Sequence, residues 1–456
     1  MKAIKYCFSC FFSGCILMPV PALSNDLDGL NNETSYIEIS NSISDYQNHI
    51  AQLEINAGPH DNALLKPLLS MGILQNENGQ FSYAEETLKR TLQIHRINNG
   101  LHDLSQLPIL DLIISNNISQ QNWKAANDNY HLYHWLHKRN YEETDPGMLP
   151  VIDKLIAWHL LGTNLKTGRH PGEHFIKLLE LNKRALQIVE NFPIPDDLEH
   201  AKRLYKLALI HYYISIAVQR GEPAGRYLVQ KFNPIQNGDS YETTSSQIVK
   251  KRFRKSRKLI TRIVTLYSYS ASASADSEAI SLIYLADWDL LFNRHKNAYR
   301  GYELAHNKLV ESGFSRELVN SFFLQPKLLP KSEFVPDWMV QYASNNTDFG
   351  GTPETATEFI GWSTALPGVK FPAAEIGNIV SPSTERYSLV SFDILEDGLT
   401  ENIRISRDKP ENSLPRRTTY DAIWSAQYRP QILDGKTVEV SGMPTRFYLP
   451  SIEPPK

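Results

Sequence analysis

Three histidines stand three apart in the stretch HLYHWLHKRN: His131, His134 and His137. Residues i and i+3 share a helix face, so a neighbouring pair has the spacing to ligate zinc. A zinc site also needs further ligands and hydrogen-bonded support for them. His131 and His137 diverge around the helix, so the simpler reading is histidines on a repeat surface. No metal and no cofactor is expected. A second stretch, Lys250-Lys251-Arg252-Phe253-Arg254-Lys255-Ser256-Arg257-Lys258, is almost wholly basic. Its chemistry suits anionic lipid heads or an acidic partner. The plainer account is a solvated end of the helix that continues through Leu259 and Leu266. Asp397 and Asp434 invite a carboxylate-pair reading, but each precedes a glycine, and Asp-Gly is turn chemistry. Nucleophile elbows, phosphate loops and HExxH are all absent from the sequence. No catalytic residue is assigned, and the chain is expected not to be an enzyme. A hydrolase with a scattered site stays open as an alternative.

The elements behind these residues are clearest near the end. Val390, Phe392 and Ile394 alternate with Ser391, Asp393 and Leu395, which predicts a strand with one apolar face. Asp397-Gly398 follows, with the positive φ that a tight hairpin needs. Ile403 and Ile405 alternate on the returning strand. Pro415 suits the first turn of a helix. Ala422, Ile423 and Ala426 stripe that helix, and Tyr428-Arg429-Pro430 ends it. Asp434-Gly435 then leads into a last strand carrying Val438, Val440, Phe447 and Leu449. The predicted order is strand, strand, helix, strand.

Phe371-Pro372, the SFDILEDG hairpin, the helix ending in QYRP, and DGKTV come in this order within Lys370–Leu449. Together they resemble the carboxy-terminal domain of TonB. The resemblance implies a periplasmic α+β domain that binds partner peptides, in TonB those of outer-membrane transporters. Carried onto this chain, it implies a peptide site at Phe371, Pro372, Val438, Val440, Arg446 and Phe447, with the partner added as a strand beside the last one. Gly442 and Pro444 interrupt that strand, and Phe371 stands where the family has tyrosine. An edge strand at Val438–Tyr448 also offers pairing between two copies, giving a homodimer.

From Ser35 to Phe323 the pattern is helical and recurrent. Gly58-Pro59-His60-Asp61 recurs as Gly100-Leu101-His102-Asp103. Leu65 recurs as Leu107 and Leu149, Pro108 as Pro150, and Phe81-Ser82-Tyr83-Ala84 as Trp123-Lys124-Ala125-Ala126. A fixed period of this size predicts a helical solenoid. Gly72 with Ala84 and Leu88, and Ala286 with Ala298, Tyr302 and Ala305, resemble tetratricopeptide repeats, in which small residues let two helices approach. Ile114 departs from that pattern, and spacing is poor between Gly168 and Gly238. The expectation is about four to six helix pairs, presenting a surface to a peptide or protein.

The chain has 456 residues, 47 Lys and Arg against 50 Asp and Glu, and a net charge of −3. Nothing in this balance points to nucleic acid. Lys2 and Lys5, an apolar core from Tyr6 to Val20, and Ala22-Leu23-Ser24 read as a secretory signal, with a mature start near Asn25. Cys7, Cys10 and Cys15 all lie inside it. The expected layout is a signal peptide over 1–24, a tetratricopeptide-like helical repeat domain over 25–325, a Pro/Gly-rich junction over 326–369, and a TonB-like domain over 370–456. Within the junction, a strand is expected around Glu358–Trp362, and Trp338 and Trp362 are expected to dock the small domain. The expected protein is a periplasmic, non-enzymatic adaptor of envelope transport or assembly. Its partner would be an outer-membrane transporter or another envelope protein. If the signal stays uncleaved, the alternative is an inner-membrane-anchored energy transducer of the TonB type.

Overall fold

The computed structural model describes residues 28–165, 170, 172–234, 240–270, 273–345, 357–360, 382–409 and 416–450. Residues 1–24, expected to be a signal, and Trp362, Phe371, Pro372 and Pro415 lie outside them. The described chain is mostly helical, with a small sheet unit at its end.

The first helices repeat at the spacing read from the sequence. Helix α1 (Asp28–Ala57) leads into α2 (Leu65–Glu77) and α3 (Phe81–Asn99), then α4 (Leu107–Ser119) and α5 (Trp123–Asn140), then α6 (Leu149–Leu165). Each of α2, α4 and α6 is entered through a single 3₁₀ turn capped by an aspartate. Asp61 accepts from the Ala63 amide, Asp103 from Ser105 and Asp145 from Gly147, satisfying donors that a helix start leaves unpaired. Asn98 Nδ2 reaches back to the His60 carbonyl, and Asn140 Nδ2 to that of His102, each at 2.8–2.9 Å. A Cβ at Gly72 would lie 2.8 Å from Leu88 Cδ2, so glycine is what lets α2 and α3 pack this closely. Ile114 is simply buried in the core.

The regular spacing ends after α6. Helices α7 (Gly172–Glu190), α8 (Asp197–Arg220), α9 (Pro223–Phe232) and α10 (Tyr241–Tyr269) differ widely in length. The pair α11 (Ser277–Leu291) and α12 (His295–Glu311) restores close packing. Ala286 and Ala298 are buried there, and a Cβ at Gly301 would meet Ala286 Cβ at 2.8 Å. The basic stretch sits in the middle of α10 rather than at a helix end. Two of its members turn inward. Arg252 lies 3.9 Å over the Phe232 ring with Nη1 3.2 Å from His211 Nδ1, and Arg257 makes a bidentate pair with buried Asp289 at 2.8 and 3.0 Å.

After α13 (Arg316–Phe323) come β1 (Lys327–Leu329), α14 (Trp338–Asn345) and β2 (Thr357–Ile360). The sheet unit follows, with β3 (Pro382–Ile394), β4 (Thr400–Lys409), α15 (Arg416–Trp424), β5 (Gln427–Arg429), β6 (Gln431–Leu433), β7 (Lys436–Val438) and β8 (Val440–Pro450). The four-stranded sheet runs β2-β8-β3-β4. Val390, Phe392 and Ile394 are buried beneath α15 with Ala422, Ile423 and Ala426, as the alternation requires. At the first hairpin only Gly398 takes positive φ, +78°, and its amide donates to the Leu395 carbonyl.

Two expectations for the last strand change. The run Val438–Leu449 is broken at Glu439. Asp434-Gly435, with φ of 48° and 81°, turns a separate hairpin in which Val438 pairs with Gln431. Nor is β8 a free edge along its whole length. It pairs antiparallel with β3 on one side and parallel with β2 on the other, where Thr357–Ile360 register with Thr445–Tyr448. β2 therefore occupies the Thr445–Tyr448 part of the edge that pairing between two copies would use. The expected strand near Glu358–Trp362 is the one that closes it.

The sheet unit is locked to the helices. β5 pairs antiparallel with β1, so Tyr428-Arg429 does more than end a helix. Arg429 Nε and Nη2 donate to the two carboxylate oxygens of Asp287 at 2.8 and 2.5 Å, and the Tyr302 hydroxyl donates to Asp287 Oδ1 at 2.8 Å. The paired side chains are 3 % and 5 % exposed. Burial alone would pull the guanidinium down, but Asp287 outweighs it and holds Arg429 above its ordinary range. Trp338 stands 5.1 Å from the Arg429 guanidinium and edge-on to Phe322, which gives one junction tryptophan its docking place. Both Asp-Gly turns also rest on helices. A Cβ at Gly398 would lie 2.0 Å from the Tyr428 carbonyl oxygen and 3.2 Å from Leu290, and one at Gly435 would lie 3.2 Å from Glu303 Cα. Asn320 brackets Asp434 with two hydrogen bonds of 3.1 Å.

Removing one partner of a buried, hydrogen-bonded pair strands the other charge. Asp287→Ala and Arg429→Ala are each expected to cost about 3–5 kcal/mol in urea unfolding. The double variant should cost clearly less than the sum. Single losses below about 1 kcal/mol, as for a surface pair, would show that the junction is not closed in solution.

Candidate functional site

The residues singled out for peptide binding fall into separate settings. Phe447 is fully buried beneath the sheet. Arg446 is exposed and lies 5.4 Å from the Tyr387 ring centre. Val440 is half-buried opposite Ile394, and Val438 belongs to the other hairpin. Along Thr445–Tyr448 the β8 edge already carries β2. The outer edge of β4 is interrupted by two bulges in its pairing with β3 and presents Glu401, Arg404 and Arg407, the kind of charged, irregular edge that discourages strand addition.

The helices form a cleft of about 760 Å³ where α5, α6, α7 and α9 meet. Its wall is aromatic and nitrogen-rich, with Trp123, His131, Trp158, His159, His174 and Tyr227 prominent. Trp158 is anchored twice, stacked on Tyr130 at 4.8 Å and donating Nε1–H to Asn127 Oδ1 at 3.1 Å. His159 Nδ1 and His174 Nδ1 are 2.9 Å apart and both rings are buried. One must donate and the other accept, so the pair is held with a proton between them. Gly162 makes room for this, since a Cβ there would be 2.3 Å from the His174 ring. At the cleft's mouth His170 stacks on Tyr227 at 5.2 Å, the Tyr227 hydroxyl donates to Glu173 at 3.2 Å, and Lys231 sits 5.5 Å from the same ring. Lys124 and Lys177 complete the rim, each paired along its own helix, with Asp128 at 3.1 Å and Glu180 at 2.9 Å, which leaves Lys231 as the rim cation with no ion pair among the described residues.

The three sequence-adjacent histidines do not act together. His131 faces this cleft, whereas His137 bonds through Nδ1 to the Tyr133 carbonyl at 2.9 Å and stacks between Tyr133 and Tyr141. Burial, then the charge of Arg184, pushes His134 down to about 4. Among the described residues no group of three His, Cys, Asp or Glu is placed to hold a metal ion. The companions His131 does have, His159, His170 and His174, come from other elements, and no local spacing announces them.

No family model matches the chain, and no curated protein does.

Burial, then the neighbouring His174, pushes His159 down to about 3, and burial, then Arg252, pushes His211 to about 3. Unfolded histidines titrate near pH 6.5, so below that pH the unfolded chain takes up protons that the folded chain refuses. Stability from these groups is complete above pH 6.5 and drains away as pH falls toward 3. For buried His159 the slope approaches about 1.4 kcal/mol per pH unit. Urea unfolding between pH 6 and 4.5 should show this decline, and His159→Gln should make it shallower. An identical slope in the variant would refute the assignment.

Proposed function

We propose that this protein is a non-enzymatic, partner-binding adaptor of the cell envelope, built from tetratricopeptide-like helical repeats and a TonB-like carboxy-terminal domain. The observation that carries the binding role is the cleft between α5, α6, α7 and α9. Its tryptophans and tyrosine offer large contact area with few rotors to freeze, and Lys231 at its rim favours a partner with acidic character. Helical repeats commonly present such surfaces to peptides. The partner is a peptide or protein, in the TonB-like reading an outer-membrane transporter or another envelope protein. Since β2 already pairs with β8, the cleft rather than the β8 edge is the first contact in this reading.

Export is part of the proposal. Among the described residues no helix is long and apolar enough to cross a membrane, and a secreted form is expected to begin near Asn25. Mass spectrometry of the mature amino-terminus separates it from the anchored, energy-transducing alternative. An intact Met1 in the membrane fraction would favour the latter.

The binding test places a photo-crosslinking residue at Lys231, in the cleft, and separately at Arg446, on the sheet, in cells that make the full chain. Capture of one envelope protein from Lys231 is expected, reduced at least fivefold by Trp123→Ala with Tyr227→Ala. Capture from Arg446 alone would move the function to the sheet unit. Capture from neither would remove the adaptor reading.

A further inference from the structure

A second cleft, of about 910 Å³, opens between the carboxy-terminal end of α8, the first turns of α9 and α10, and the α11–α12 turn. Four cationic side chains line it, Arg220, Arg226, Lys250 and Arg294, against the single carboxylate of Glu242. None of the four forms an ion pair among the described residues, unlike Arg257 on the same α10. Arg220 Nη1 is buried with no hydrogen-bond partner among the described residues. A buried guanidinium N–H left unbonded is costly, and burial outweighs the nearby Glu222 carboxylate in pulling Arg220 below its ordinary range. Other parts of the cleft are firmly fixed. Arg226 Nε donates to the Gly221 carbonyl at 3.0 Å, closing the end of α8, and the Tyr241 hydroxyl donates to the Val218 carbonyl at 2.7 Å. Arg294 lies 5.4 Å from the Phe253 ring, and Phe253 and Phe292 pack 5.0 Å apart to form an apolar wall. Ser246 brings a hydroxyl from the second turn of α10, while Ser245 Oγ donates to the Glu242 carbonyl at 2.9 Å, near the end of the helix that favours negative charge.

We propose that this cleft binds a phosphate ester, with the phosphate held by Arg220, Arg294 and Lys250 and the organic body against Phe253 and Phe292. Three points favour this chemistry. Guanidinium forks match phosphate oxygens two at a time. The excess of cations suits a phosphate, whose non-bridging oxygens can take hydrogen bonds from several cationic side chains at once. The apolar wall gives the non-phosphate part a surface that free inorganic phosphate would leave unused. The ester could be a soluble molecule or the headgroup of a phospholipid, since both present unesterified phosphate oxygens. This site is separate from the cleft assigned to the partner, so neither proposal depends on the other.

The test uses the full chain and two probes. Phenyl phosphate is titrated calorimetrically, and vesicles of phosphatidylcholine with and without phosphatidylglycerol are used in sedimentation at physiological salt. Variants are Arg294→Gln, whose side chain is exposed, Arg220→Gln, and Lys251→Gln as a control on the same helix outside the cleft, with folding checked by circular dichroism. Saturable binding of phenyl phosphate, weakened at least tenfold by Arg294→Gln and Arg220→Gln but less than twofold by Lys251→Gln, supports a soluble ester. The same pattern only with phosphatidylglycerol vesicles supports a headgroup. Binding of neither probe overturns the proposal. So does equal weakening by all three variants, which would report general charge attraction and no site.

Discussion

The contact between Asp287 and Arg429 constrains the rest of this structure. An aspartate on α11 is buried so deeply that it needs a cation, and no residue of the helices packed around it supplies one. The cation arrives from β5, at the far end of the chain, and brings the sheet unit with it. The neighbours are arranged around this need. Tyr302 covers one carboxylate oxygen, Trp338 faces the guanidinium, and β1 gives β5 a strand to pair with. A buried pair of this kind is weak evidence for added stability, because desolvation offsets most of the attraction. Its clearer effect is on specificity, since only one placement of the sheet unit leaves neither charge alone.

That placement also explains the two Asp-Gly turns. Each serves its hairpin, yet each also lies close against a helix, Gly398 at Leu290 of α11 and Gly435 at Glu303 of α12. The turn residues therefore answer to two demands at once, local backbone geometry and close approach of a second unit. The junction segment is part of the same join. The Tyr205 and Tyr284 hydroxyls donate to the Lys331 and Glu333 carbonyls at 2.7 and 2.8 Å, and Phe334 is buried among the aromatic rings of α8 and α11. Asp276, at the start of α11, turns its carboxylate away from its own helix and accepts the Met339 and Val340 amides at 2.9 and 3.0 Å, capping α14. The described first part of the Pro/Gly-rich junction, as far as α14, is thus held through buried groups.

Much of the architecture was legible in the sequence because its signals are local. The recurrence of Gly58 to Asp61 at Gly100 to Asp103 marks a repeated turn and cap, and the period-two run at Val390, Phe392 and Ile394 marks a buried strand face. The Gly72 and Ala84 spacing marks a close helix pair. What stayed hidden is non-local. Arg429 and Asp287 are 142 positions apart, and neither carries a sign of the other. The pairing of β2 with β8 is parallel and crosses the whole sheet unit, so no turn motif announces it. Glu439 interrupts the last strand because the second Asp-Gly builds its own hairpin, which the apolar alternation does not reveal. Both clefts draw their walls from several helices. His131 was noticed for the wrong neighbours, and Arg220 and Arg294 stand outside the basic run that drew attention to α10.

The aspartate-capped turns before α2, α4 and α6 have a consequence for how this chain can change. Each cap is made within its own loop, and the asparagine links from α3 and α5 reach back to the loop of the preceding segment by the same bond. A whole segment added or lost here by duplication or deletion in the coding sequence would meet the same joints it left, much as beads share one thread. After α6 helix lengths differ, Asp287 is shared between Arg429 and Tyr302, and Asn320 joins His306 to Asp434. A change in the number of amino-terminal segments would therefore leave the grip on the sheet unit in place, while a change in that grip would have to be matched on both sides of it.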